Sequence, residues 1–160
     1  MNTEISYLRD LMSRLFSALR IISVLFLLGV LLYVYANISE MVTLQTNEAG
    51  MSDGIISKSS FFYLALLIIV VINGGFHTLI NLFKKSGNQT PMYAEALLIW
   101  LNGLTILLNA FFITSLIFIN AYNSLGVSNI GNFGVVLFTV MVLTTLWISG
   151  IVFVLRYRGT

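Results

Sequence analysis

Apolar residues gather along this chain in four long runs, and polar residues gather between them. A helix crosses a hydrocarbon core about 30 Å thick with roughly 20 apolar residues, so each run predicts a transmembrane helix. The predicted spans are residues 20–36, 61–83, 94–120 and 133–156. Little chain remains for a separate soluble domain, and residues 1–160 read as one membrane domain. The expected fold is an all-α integral membrane protein, an antiparallel bundle of four transmembrane helices.

The segments between the runs have patterns of their own. Within residues 3–19, Ile5, Leu8, Met12, Leu15, Phe16 and Leu19 recur at helical spacing, with Arg9, Ser13, Arg14 and Ser17 between them. That pattern predicts an amphipathic N-terminal helix, started by Thr3 as N-cap and carrying an Asp10–Arg14 pair. A basic amphipathic helix beside a membrane either lies among the headgroups or runs on into the span. In the long connection 37–60, Val42 and Leu44 alternate with Thr43 and Gln45, and residues 47–50 and 52–54 are rich in turn formers. A small hairpin outside the membrane is expected there. The connection after the second run is short. Lys84 and Lys85 suit a helix C-terminus, Gly87 a left-handed cap, and Thr90 with Pro91 a helix start, so helices two and three should pack as an antiparallel pair.

Charge turns these spans into an oriented topology. The chain is 58% hydrophobic and 9% charged, too little polar surface for a soluble protein. Of its eight Lys and Arg residues, Arg9, Arg14, Arg20, Lys84, Lys85, Arg156 and Arg158 flank what would be one side of the membrane. The segment 37–60 carries Glu40, Glu48 and Asp53 against Lys58 alone, and 121–132 carries no charge. The positive-inside rule then places both termini in the cytoplasm and 37–60 outside it. The expected location is a bacterial inner membrane. Tyr33, Tyr35, Tyr93, Tyr122 and Tyr157 fall near span ends, where amphipathic rings belong. Basic residues that flank spans determine topology and do not predict nucleic-acid binding. A cleavable signal peptide is not expected, because the first run starts late and continues too far.

Polar residues inside the spans are the natural place to look for chemistry, because hydrocarbon makes them costly. Asn73, His77 and Asn81 share one face of the second span; Glu95, Asn102 and Asn109 share one face of the third. Folding the pair about Gly87 brings His77 near the depth of Asn102, and Asn81 near Glu95. The two stripes are expected to face each other as an interhelical hydrogen-bonded ladder. His77 with Glu95 could instead relay protons, and His77 could ligate haem or a pigment. It is the sole histidine, so bis-His ligation within one chain is impossible. Zinc lacks the three protein ligands that catalytic sites use, and thiol chemistry lacks a cysteine. No cofactor or metal is expected. Gly74 with Thr78, and Thr145 with Ser149, form small-xxx-small pairs suited to close helix contact, and Asn73-Gly74-Gly75 is a potential kink.

Tyr35-Ala36-Asn37-Ile38-Ser39-Glu40-Met41-Val42, Gly50, Asp53-Gly54 and Ser57-Lys58 follow one order: span end, short strand, Gly/Asp turn, Lys opening the next span. Across residues 35–62 this resembles a small bacterial membrane domain of unknown function, found at the N terminus of relatives of the SdpI immunity and signalling proteins. Ser39 stands where that family usually has Pro, and Gln45 near its usual His. The resemblance implies bacterial origin, an extracytoplasmic loop, and a role in immunity or sensing.

Several four-span classes are excluded. Disulfide oxidases need cysteines, aspartic signal peptidases a pair of intramembrane Asp residues, and small multidrug antiporters an acid in the first span; none is present. The expected role is therefore non-enzymatic: an accessory or structural subunit that binds membrane lipids and other integral membrane subunits through its helix faces. The alternatives are a small sensor or immunity-type protein using the 37–60 loop, and a proton, ion or small-solute transport subunit using His77, Asn102 and Glu95.

Overall fold

A computed structural model describes residues 2–46, 52–85, 91–125 and 131–156. Its elements are α1 (Asn2–Asn37), β1 (Met41–Thr46), β2 (Ser52–Ser57), α2 (Lys58–Lys85), α3 (Pro91–Leu125), α4 (Gly131–Ser149) and α5 (Ile151–Arg156). Four stretches are long and apolar enough to cross a membrane: Asp10–Asn37, Lys58–Lys85, Tyr93–Ser124 and Asn132–Arg156. The architecture is that of a helical multi-pass membrane protein.

α1 is a single helix of 36 residues, so the amphipathic segment 3–19 and the span 20–36 are one continuous rod. No proline interrupts it and Gly29 is its one glycine, so nothing in the backbone separates the two parts. Thr3 lies inside this helix and not at a cap before it. At about 54 Å the rod exceeds the hydrocarbon thickness, which leaves its first turns beyond the core. α2 runs as one continuous helix from Lys58 to Lys85, through Asn73-Gly74-Gly75. The caps proposed at Gly87 and Thr90, the turn at 47–50, Tyr157 and Arg158 lie outside the described residues.

The connection between α1 and α2 is an antiparallel hairpin, with Val42 opposite Ile56 and Thr43 opposite Ile55. Lys58 N donates to Glu40 O (2.9 Å), which carries the ladder one pair further into the start of α2. Gly54 has φ 77°, a left-handed conformation that residues with a Cβ adopt at a cost. Ser57 caps α2, its Oγ accepting from Ser60 N at 3.2 Å. Two strands alone are marginal in water. This hairpin is held from below: Val42 is fully buried among Leu27, Leu31, Val34, Ile38, Phe61, Ile69 and Leu116, with Ile56 against them.

A second apolar cluster, Ile80, Tyr93, Leu97 and Leu101, gathers the end of α2, the start of α3 and Ile151 and Val154 of α5 at the opposite end. The helices therefore alternate in direction. Arg9, Arg14, Arg20, Lys84, Lys85 and Arg156 occupy that second end, whereas Lys58 lies at the hairpin end beside Glu40 (4.0 Å) and over the Tyr35 ring (5.1 Å). We call these the basic end and the hairpin end.

α3 sits at the centre, touching α1, α2, α4 and α5. α3 packs most extensively against α1 and then α4, and α2 joins it more sparsely as the antiparallel neighbour expected from their short connection. The predicted fourth span, 133–156, is interrupted at Gly150, which separates α4 from α5. The cause is a contested carbonyl. Trp147 O accepts from the Trp100 indole Nε1 (2.9 Å) and from Gly150 N (3.0 Å). A carbonyl has two lone pairs, so both are spent before the regular helical bond of the next turn can form.

Candidate functional site

In a bilayer, side-chain hydroxyls and amides must find partners within the protein. The hydroxyls do so locally. Thr78, Thr105, Thr139, Thr144, Thr145 and Ser149 each donate to the carbonyl four residues earlier, at 2.8–3.0 Å. These groups fasten nothing together. The amides cross between helices instead.

Asn73 on α2 and Asn109 on α3 form a reciprocal pair: Asn73 Nδ2 donates to Asn109 Oδ1 (3.0 Å), and Asn109 Nδ2 donates back to Asn73 Oδ1 (3.1 Å). Asn109 Nδ2 also donates to Ser23 Oγ of α1 (2.9 Å), and Asn73 Nδ2 to Ile69 O (3.0 Å). All four amide hydrogens of the two side chains are used. Ser23 in turn donates to Arg20 O at 2.7 Å. One fully buried asparagine thus ties three helices together.

One turn toward the basic end lies a second polar group. Arg20 Nη2 is 3.5 Å from His77 Nδ1, and Asn81 Nδ2 is 3.0 Å from His77 Nε2. Arginine offers only donors, so Nδ1 is the acceptor in this contact. A neutral ring then carries its proton on Nε2, and a half-turn of the Asn81 amide presents Oδ1 to receive it. Beside these residues is a cleft of about 210 Å³, lined by Arg20, Ile21, Val24, Leu25, Asn73 and His77.

The expected ladder therefore has one rung, Asn73–Asn109. With those two level, His77 falls level with Thr105, and Asn102 with Ile80, because both helices rise equally per residue. The register anticipated from folding about Gly87 is wrong by about one turn. Asn102 is buried and donates to Leu98 O of its own helix (2.8 Å). Glu95 is half-buried, one turn into α3. His77 and Asn81 are exposed on α2 and bond to each other and to α1.

Two participants escaped the sequence reading. Arg20 entered it only as a topology determinant, and Ser23 not at all. The signal was present: Ser13, Ser17, Arg20 and Ser23 recur at spacings of four, three and three, along one flank of a helix. The other polar crossing is a tryptophan pair. Trp147 Nε1 donates to Trp100 O (3.0 Å), reciprocating the Trp100 bond and locking α4 to α3. At the hairpin end, Asn123 of α3 acts as a strand edge. Its Oδ1 accepts from Thr43 N (2.8 Å) and its Nδ2 donates to Thr43 O (3.1 Å).

No known protein family, curated protein or solved structure matches the chain.

Proposed function

We propose that the chain is a non-enzymatic accessory subunit of a larger bacterial inner-membrane assembly, with both termini in the cytoplasm. The observation that carries the reading is a bare patch on α2. Gly74, Gly75 and Thr78 are exposed, and a Cβ built on either glycine meets nothing within 4 Å. His77 and Asn81, also exposed, flank the patch on its basic side. Small residues let helix backbones approach closely, and neighbouring amide and imidazole groups can bond across the contact. Among the described residues no other helix packs against Gly74 and Gly75, so the pair Gly74–Thr78 is open to a helix of another subunit. The concentration of Arg and Lys at the basic end supports a cytoplasmic placement of that end.

The test is affinity purification from native membranes. Wild type should bring down a defined integral membrane partner, and Gly74→Leu with Gly75→Leu should lose it while keeping the helical circular dichroism of the isolated chain. Recovery of the tagged chain as a lone monomer from native membranes would defeat the reading.

A second reading, a sensor or immunity-type protein, is favoured by the hairpin. Asn123 and the cluster around Val42 fix β1 onto α3, which makes a rigid platform for a ligand outside the membrane. Deletion of residues 45–54 should then abolish the cellular phenotype with membrane insertion intact; an unaltered phenotype counts against it.

A further inference from the structure

Arg20 is a half-buried cation on α1. Asp10 pairs with Arg14 at 2.8 Å, and Glu40 sits 4.0 Å from Lys58. Among the described residues no carboxylate pairs with Arg20. Its Nη1 is shut away from solvent with no hydrogen-bond partner, and its Nη2 has only the 3.5 Å approach to His77 Nδ1. A guanidinium in that position near hydrocarbon calls for an anion.

The depth says which anion. Lys58, beside Glu40 and Tyr35, marks the hairpin-end boundary. From Lys58 to His77 is about 29 Å of helix, which matches a hydrocarbon core of about 30 Å. Arg20 and His77 therefore lie at the opposite boundary, where lipid phosphates are found. Lys84 and Lys85 extend about 11 Å further, into the headgroup layer. The cleft at Arg20 is lined on its other side by Ile21, Val24 and Leu25, and Ile21 and Leu25 are 56% and 64% exposed along α1 toward the membrane centre. Polar at the boundary and apolar toward the core, it has the profile of one phospholipid.

We propose that the cleft between α1 and α2 binds a single anionic phospholipid from the leaflet at the basic end. Arg20 holds the phosphate beside His77, and an acyl chain lies along Ile21 and Leu25. A net negative headgroup is preferred over a zwitterionic one, because the guanidinium has no carboxylate partner among the described residues.

The full chain, purified in mild detergent, is incubated with phosphatidylglycerol, with phosphatidylcholine, or with inorganic phosphate, and bound species are counted by native mass spectrometry. Wild type should retain one phosphatidylglycerol about tenfold better than phosphatidylcholine, the size of one charge-assisted contact. Arg20→Gln should lose that preference. Val24→Trp, which fills the cleft and leaves every charge in place, should lose lipid retention as well, and decides the matter if Arg20→Gln does not yield folded protein. Lys85→Gln, on an exposed side chain outside the cleft, should leave retention nearly unchanged. Equal retention of the two lipids, or undiminished retention by Arg20→Gln and Val24→Trp, overturns the proposal. So does Arg20-dependent capture of inorganic phosphate without lipid, which would make this a site for free anions.

Discussion

α3 is fastened on its two sides by different physics. Toward α1 and α2 it uses buried amides, with Asn109 bonded to Asn73 and Ser23. Toward α4 it uses shape: Gly103 leaves room for the Trp147 ring, and the two indoles exchange bonds with each other's backbone. Lipid tails are as apolar as leucine, so no hydrophobic drive brings helices together inside a bilayer. What remains is hydrogen bonding and close van der Waals fit: amide pairs dominate the α1 and α2 side of the central helix, and a tight glycine–indole fit with two indole bonds dominates the α4 side. The amide side tolerates small changes of shape but not the loss of a partner. The glycine side is the reverse.

The largest effect should come from the glycine side. A Cβ on Gly103 would collide with Trp147 Cζ2 and lie 2.8 Å from Cε2. The ring cannot move away without giving up its bonds at both ends, so Gly103→Val should cost about 3 kcal/mol, at the upper range for overpacking. Because Trp100 and Trp147 are the chain's two tryptophans, their fluorescence reports this junction alone. Gly103→Val should shift the emission, leaving the amide side intact. Unshifted emission with wild-type thermal stability in detergent would mean that the two sides do not differ as described.

Asn109→Leu should come next, at about 2 kcal/mol, since it removes the cross-helix bonds and strands the Asn73 amide. The tryptophan emission should stay where it is. A double-mutant cycle with Asn73→Leu should give a coupling of about 0.6–1.7 kcal/mol, the range of measured interhelical hydrogen bonds in membranes. Additive losses would show that the reciprocal pair contributes nothing as a pair.

The two sides also differed in how far the sequence revealed them. The four spans, and the alternation of Val42 and Leu44 in the hairpin, follow from one-dimensional periodicity and were readable. So was a contact between the polar stripes of α2 and α3, because amides seven or four residues apart on two antiparallel helices have few ways to avoid each other. Its register was not readable, because it depends on the connection 86–90, where a shift of one turn costs no local pattern. That error set His77 beside Asn102 and hid its contact with Arg20. The Gly103–Trp147 fit and the break at Gly150 depend on which indole reaches which carbonyl. No spacing rule encodes that. Gly74 and Thr78 show the converse: the small-residue signal is clear, yet among the described residues nothing packs against Gly74 and Thr78 is exposed.

Trp100→Phe should sharpen the comparison with a smaller effect. It keeps an aromatic ring beside α4 but removes the donor to Trp147 O, which sits 2.9 Å away. The loss should be about 1 kcal/mol, the net worth of one such bond. The freed carbonyl lone pair can then accept the next backbone N–H, so α4 and α5 should join through Gly150. Slower amide hydrogen exchange at residues 150–152 in the variant would register that, and unchanged or faster exchange would show that the indole is not what interrupts the helix.

The smallest effect belongs to the face that neither junction uses. Gly74→Ala adds a methyl where nothing lies within 4 Å, so the isolated chain should gain up to about 1 kcal/mol from helix propensity alone. A destabilised isolated chain would mean that α2 is closely covered at Gly74 by this chain itself, and the division of labour around α3 would need a third contact. A stabilised one leaves the exposed glycines without a purpose inside the monomer. Glycine at the middle of a spanning helix lowers that helix's own stability, and among the described residues no contact at Gly74 offsets the cost. On the proposal of a partner subunit, the compensation comes from a neighbouring helix close enough to need the missing Cβ.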